Sequence, residues 1–414
     1  MRATPVVALA TTFAFTIVGC SEPTAPTEAN TVATPDLSVS TSSSQVTIAP
    51  GQSVQAAVSA HPAGTTFLIK AGTHTGQAVV PKTGDVFIGE SGAILDGGGT
   101  IASAFSKGSA KPYPSNVTIQ GLVIQNYAPA LQHGAIDAGS PGSDATAQTT
   151  GWVVRNCEIR YNTGAGLTFG HRAQVLNNYV HHNEQIGIRG MGDGVLIQSN
   201  EIAFNNYKRT AWGWEKGGTK FVRTHNLVVR GNYVHDNWGP GLWDDIDNIN
   251  TLVEGNRVTN NAAQGIFHEV SYAAVIRNNI VQGNGFQHPG SKAWLWGAGI
   301  LVAASGEVQV YGNTVMGNAN GIGGIQQNRG TGRYGPHLLK NLYVHDNVVT
   351  MTTRGATGVV QDIGDNAVFT SRNNHFTRNT YTLGANRLPF AWMNGKRTVP
   401  QWKGYGQDVT AQFR

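Results

Sequence analysis

Only 13% of the 414 residues carry charge, so the stretch from Arg189 to Glu269 is conspicuous for holding Arg189, Glu215, Lys220, Asp244, Asp245, Asp247, His268 and Glu269. Lys220 is a candidate general base, because a neighbouring Arg189 and partial burial would bring a lysine pKa down from about 10.4. The carboxylates of Glu215, Asp244, Asp245 and Asp247 are hard oxygen donors of the kind Ca²⁺ takes. Such an ion would anchor an acidic sugar and stabilise an enolate. Base, cation and oxygen ligands together describe β-elimination, in which the proton α to a uronate carboxyl is removed. A second reading makes Asp245 and Glu269 the acid and base of glycoside hydrolysis, which needs two carboxyls about 5 to 9 Å apart. His268 completes the ionisable set. A structural alternative also exists, since opposite charges on neighbouring strands stabilise a sheet without any chemistry.

Six of the nine tryptophans fall in or beside the same stretch: Trp212, Trp214, Trp238, Trp243, Trp294 and Trp296. Flat apolar rings suit the CH faces of sugars, although the same rings can glue loops to a scaffold.

What must position these residues is a repeat. An apolar residue is followed three positions later by Asn and two further on by an aliphatic residue, as in Val175, Asn178, Val180, then Ile197, Asn200, Ile202, then Val229, Asn232, Val234. The series continues with Asn256, Asn279 and Asn313 and extends to Asn347 and Asn374. A second Asn follows five residues later at Asn183, Asn205, Asn237, Asn261, Asn284 and Asn318, and a Gly-aliphatic pair such as Gly187-Ile188 or Gly265-Ile266 usually comes next. The shortest spacings, 22 residues from Asn178 to Asn200, 24 from Asn232 to Asn256 and 23 from Asn256 to Asn279, are too short for a propeller blade and lack a helical period. Such units cannot bury a face alone, so they are predicted to stack as coils of a parallel β-helix, about 4.8 Å per layer. The asparagines would sit at left-handed corners, with their amides hydrogen-bonded from coil to coil. Cys157 takes the ladder slot after Val154, Arg155 and Asn156, which favours a buried, inert thiol.

The repeat is interrupted twice. The gap from second Asn to Gly is usually four residues, but Asn205 to Gly218 takes thirteen and Asn284 to Gly299 takes fifteen. Both insertions leave the same corner, so they are expected to stand as two walls with the coils of Gly241 and Gly265 as the floor. Aligning the glycines puts Thr168, Arg189, Lys220, Trp243, Phe267 and Leu301 in one outward file, with Asp245 and Glu269 two positions on. Lys220 belongs to that file only if Gly218, not Gly217, is the counterpart glycine. Asp244 and His268 would face inward unless the strand ends there.

This pattern resembles the right-handed parallel β-helix superfamily of pectate-lyase-like proteins. The resemblance implies an all-β fold class, a single-stranded right-handed parallel β-helix (solenoid) over 47–380, with an N-terminal capping helix at Ser53–Val58. A C-terminal cap over 381–414 would contain a short helix between Thr398 and Gln407. Both caps cover what would otherwise be exposed terminal edges. About activity the resemblance implies less, since the scaffold carries lyases, hydrolases, epimerases and binding proteins. Some of its lyases pair a lysine base with aspartate-bound calcium, and Asp244-Asp245 beside Lys220 looks similar. Its inverting polygalacturonases use aspartates on adjacent coils, but their Asn-Thr-Asp triplet and Gly-His-Gly loop are missing here.

Residues 1–19 read as a bacterial lipoprotein signal. Arg2 precedes an apolar run from Val6 to Val18, too short to span a bilayer. Ile17-Val18-Gly19-Cys20 resembles a lipobox whose cysteine is acylated. Residues 20–46 form a Ser/Thr/Pro-rich tether. The mature chain is therefore expected to be an exported monomer, held at the bacterial outer membrane or cell surface through Cys20, or secreted. A formal charge of +5 without a Lys/Arg run speaks against nucleic acid as a partner, and two cysteines form no disulfide framework. Gly330 to Gly335 matches a dinucleotide fingerprint, but no βαβ unit surrounds it and it reads as a turn. The expected partner is an extracellular acidic polysaccharide. Elimination is the first reading of the chemistry, hydrolysis the second, and a non-catalytic glycan-binding surface protein the third.

Overall fold

In a computed structural model, residues 45–140, 145–210, 215–288 and 294–414 are described. The signal, most of the tether, and Trp212 and Trp214 lie outside the described residues. No helix among the described residues is long and apolar enough to cross a membrane.

Short strands dominate because the repeat alternates Val/Ile with polar residues and breaks every three to five positions at Asn or Gly. Among the described residues they fall into three long sheets of thirteen, thirteen and twelve strands. Each coil contributes one strand to each sheet, and neighbouring coils pair in parallel. In the first sheet Val154, Val175, Ile197, Val229, Val253, Ile276, Val310 and Val344 stack in direct register. All eight are buried, and burying each side chain contributes about 1.5 to 3 kcal/mol. The architecture is the expected right-handed parallel β-helix.

Two asparagine ladders line the corners on either side of the second sheet. In the first, the Nδ2 of Asn178 donates to Oδ1 of Asn200 (2.9 Å), and the bond repeats through Asn232, Asn256, Asn279, Asn313 and Asn347. The second runs Asn162, Asn183, Asn205, Asn237, Asn261, Asn284, Asn318. The strained backbone is not where the sequence suggested. The residue before each rung takes positive φ, as at Asn177 (55°), Ser199 (55°) and even Phe204 (55°). The rung itself is free to turn its amide inward.

The last rung is Asn379 rather than Asn374. Asn347 Nδ2 donates to Asn379 Oδ1 at 3.0 Å, whereas Asn374 lies before a first-sheet strand and donates to the Leu339 and Val368 carbonyls. Asp408 closes this ladder, accepting from Asn379 Nδ2, the Tyr381 hydroxyl and Trp402 Nε1. Cys157 opens it, its backbone N–H donating to Asn178 Oδ1. Burial pushes the Cys157 thiol up to about 12, which leaves it unreactive.

Substituting Asn232→Leu should leave the Asn200 backbone N–H without its acceptor and take the Asn232 Nδ2 donor from the Ile197 carbonyl, while Asn256 Oδ1 keeps only the backbone N–H of residue 232. A loss of about 3 kcal/mol is expected in denaturant unfolding. An unchanged midpoint would show that the ladder does not carry stability.

Both ends are capped. Helix α1 (Val54–Ala60) is capped by the Ser53 hydroxyl, which accepts from the Ala56 N–H, and it buries Val54 and Val58. Helix α2 (Ala367–Thr370) lies in the loop that precedes Asn374. Helix α3 (Val399–Gly404) starts at a Thr398/Gln401 capping box and buries Trp402 on Phe390, ring centroids 4.6 Å apart. The sheets run into this cap: Phe390–Trp392 pairs with the third sheet and Gln412–Phe413 with the second.

Candidate active site on the third sheet

The third sheet is positioned by its glycines. Ile186 pairs with Gly217 and Ile188 with Thr219, so Gly218 is the counterpart of Gly187. A Cβ on Gly218 would come within 2.4 Å of the Gly241 carbonyl oxygen, so only glycine lets the coils close at this corner. With that register, Thr168, Arg189 and Lys220 are neighbours on successive strands, followed by Trp243, Phe267 and Leu301. Asp245 and Glu269 pair directly in the next outward file.

Along this face lies a buried strip of alternating charge. Arg189 Nε donates to Glu215 Oε2 at 2.7 Å. Lys220 Nζ lies 2.7 Å from Asp245 Oδ2, 3.8 Å from Glu215 Oε1 and 4.1 Å from the centre of the Trp243 ring. Trp243 Nε1 donates to Glu269 Oε2 at 3.1 Å, and Arg329 pairs with Glu269 Oε1. Asp245 Oδ1 is buried without a hydrogen-bond partner among the described residues. Burial, reinforced by the charge of Asp245, pushes the Glu269 carboxyl up, against Arg329 and Trp243, which pull it down.

The surroundings of Lys220 differ from those expected. Arg189 is engaged by Glu215, and the groups facing the Lys220 ammonium are carboxylates, so Lys220 is a hydrogen-bond donor to Asp245 rather than a lysine pressed by a cation. The four expected Ca²⁺ ligands do not converge either. Glu215 and Asp245 are taken up by Arg189 and Lys220. Asp244 points inward with His268, Oδ2 to Nδ1 2.9 Å, and the other nitrogen of His268 donates to the Tyr272 carbonyl. Asp247 accepts from the Arg333 N–H and sits 3.1 Å from His337 Nε2. Among the described residues no group of three or more such side chains is arranged for a metal. His268 is thereby set behind the outer face, on the interior side of the strand.

The walls are also arranged differently. Trp296 packs on Phe267 edge to face, and Leu295 lies over Gly323, so residues 294–296 at the end of the second insertion lie on the sheet. Trp243, Trp294 and Trp296 join Phe267, Leu301, Ile325 and Val360 in one apolar cluster, and Arg209 lies over the Trp238 ring at 4.7 Å. These tryptophans glue as much as they wall. Residues the sequence analysis missed complete the strip. Toward the N-terminal coils, His133 Nδ1 lies 2.8 Å from Asp137 Oδ2, and the Thr168 hydroxyl donates to Asp137 Oδ1. Asp137 raises the His133 pKa. The pair borders a groove of about 380 Å³ shared with Lys107. Arg329, Arg333 and His337 come from the hairpin Thr331–Gly332/Gly335–Pro336, the segment read as a turn.

Residues 145–315 match the family model described as "Right handed beta helix region". No curated protein sequence matches the chain. Among solved structures, the chain is similar to the A-module of an Azotobacter vinelandii mannuronan C-5 epimerase, at 17% identity and a TM-score of 0.54 over 79% of this chain and 88% of that one. It is similar to XylC in complex with xylose, at 12% and 0.56 over 78% and 86%. It is also similar to a mannuronic acid specific polysaccharide family 6 lyase from human gut microbiota, at 11% and 0.53 over 89% and 83%. At such identities the likeness is one of fold.

Proposed function

We propose that this chain, a right-handed parallel β-helix protein, is a carbohydrate-active enzyme that cleaves an acidic polysaccharide by β-elimination on the outer face of its third sheet. The observation that carries the reading is the buried strip of Arg189, Glu215, Lys220, Asp245 and Glu269, with Arg329 at its exposed edge. Buried charges are costly, and buried acids with perturbed pKa values concentrate at functional sites. Two of the similar structures are named for mannuronan or mannuronic acid, which supports a uronate as the substrate unit.

Each group has a role in that chemistry. Arg329 is the most exposed member of the strip, its side chain 33% accessible, so a substrate carboxylate can compete with Glu269 for it. Losing Arg329 removes the larger of the two influences that lower the Glu269 pKa, leaving only the Trp243 hydrogen bond, and Glu269 then holds a proton for the leaving glycosidic oxygen. Asp245 Oδ1, the unpartnered oxygen, accepts the proton α to the carboxyl. Lys220 holds Asp245 by its other oxygen and supplies positive charge as the enolate forms. Digestion of a panel of uronate polysaccharides tests this: elimination gives unsaturated-product absorbance together with reducing ends, and no cleavage of any of them would refute it.

Hydrolysis is the second reading, favoured by one observation: Asp245 and Glu269 are direct neighbours across adjacent strands, and burial holds Glu269 toward its protonated form, as the general acid of a carboxyl pair requires. It would yield reducing ends without absorbance.

If Glu269 is the proton donor, activity falls as pH rises through its folded pKa, because the donor must be protonated. Glu269→Gln should lower kcat about 100-fold and erase that alkaline limb. A kcat-pH profile that keeps its alkaline limb would remove Glu269 from this role.

Export and anchoring at Cys20 belong to the same proposal, since the polymer is outside the cell. Cys20→Ala should move the protein from the membrane to the soluble fraction, and unchanged fractionation would exclude acylation.

A further inference from the structure

Beyond the charged strip, the strands carrying Arg189 and Lys220 end at a corner where Asp193, His225 and Ile249 form bridges on successive coils. Here Arg223 and Arg333 border a cavity of about 140 Å³, with His171, Met191, Asp193, His225 and Tyr334 around it. Arg223 is fixed by its backbone, which holds φ at 49° and donates its N–H to the Ile246 carbonyl. Arg333 is brought in by the hairpin, its N–H donating to Asp247. Neither guanidinium has a hydrogen-bond or ion-pair partner among the described residues, in contrast with Arg189 and Arg329, which both do.

The Asn250 amide donates to His225 Nε2 at 3.3 Å, which leaves the Nδ1–H of that ring as a donor. His171 Nδ1 accepts from the Asp193 N–H at 3.1 Å. The cavity has one carboxylate, Asp193, to two guanidinia; its Oδ2 lies 3.8 Å from His171 Nδ1 and its side chain is 63% exposed. A cavity lined by two unpaired planar forks and an imidazole donor is a receptor for a planar or tetrahedral anion.

We propose that this corner is an anion-binding subsite that takes the carboxylate of a uronate unit next to the one being cleaved. The inference rests on the acidic-polysaccharide reading for the identity of the anion, but not for the existence of the pocket. The pocket lies at the ends of the strands that carry Arg189 and Lys220, so one bound chain can reach both, and a second charge contact would select polyuronates over neutral glycans.

Two measurements on the full chain separate the parts. Titration with inorganic sulfate, followed by the NMR signals of the histidine rings, should shift His225 in the wild type and not in the double variant Arg223→Gln/Arg333→Gln; no shift in the wild type overturns the pocket. Calorimetric titration with tetragalacturonate and with tetramannuronate should then show, for at least one of them, a Kd about tenfold weaker in the double variant, with no measurable change for neutral maltotetraose. A sulfate response with no uronate binding by the wild type would overturn the glycan assignment and the acidic-polysaccharide reading together. Uronate binding that the double variant retains would overturn the subsite alone.

Discussion

Asp245→Asn is expected to reduce kcat on a uronate polysaccharide by about 10³ or more, since a general base contributes roughly 10² to 10⁴. The amide keeps the shape and can still face Lys220 Nζ, 2.7 Å away in the native pair, but it offers no basic oxygen at the Oδ1 position. Because the base acts in the transition state, the apparent affinity for the polymer should change little. Activity within tenfold of wild type would show that the proton goes elsewhere.

The second large effect is at Lys220. Lys220→Ala should cost about 10² to 10³ in kcat, the scale of removing one preorganised electrostatic contact. It also leaves Asp245 buried without the cation it pairs with, which is destabilising by about 3 to 5 kcal/mol, so the melting temperature must be followed beside the rate. Lys220→Arg separates the possible roles. As a cation that holds Asp245, arginine substitutes and recovers most of the activity. As a base it cannot, because a guanidinium does not deprotonate; an arginine variant as inactive as alanine would return the base to Lys220. Under hydrolysis the ranking differs again, with Lys220→Ala near wild type and Glu269→Gln inactive.

Much of this strip was legible because glycine spacing is a register mark. Gly187 and Gly218 place Arg189 beside Lys220, and the outward file followed without a structure. Extending it one coil back would have found Asp137, which pairs with Thr168, but Ala135 stands where the other coils have glycine and hides the match. Arg329 was not legible. Its contact with Glu269 spans 60 residues and depends on how a hairpin folds back. The fate of the tryptophans was visible in part: Trp243, Phe267 and Leu301 make three consecutive outward apolar positions, and such a face needs a cover. Trp294, Leu295 and Trp296 supply that cover, which is why their side chains lie on the floor. Asn374 was mistaken for a rung because the loop containing α2 lengthens the coil, and Asn373-Asn374 imitates the repeat.

The central claim is that substrate is bound and cleaved on the outer face of the third sheet. It is tested most directly by a crystal structure of the Glu269→Gln variant with a uronate tetrasaccharide bound. The account predicts a sugar carboxylate in contact with Arg329 and the ring carbon that bears it facing Asp245 Oδ1. A saccharide seated on the first or second sheet, with the strip from Arg189 to Arg329 unchanged, would contradict it.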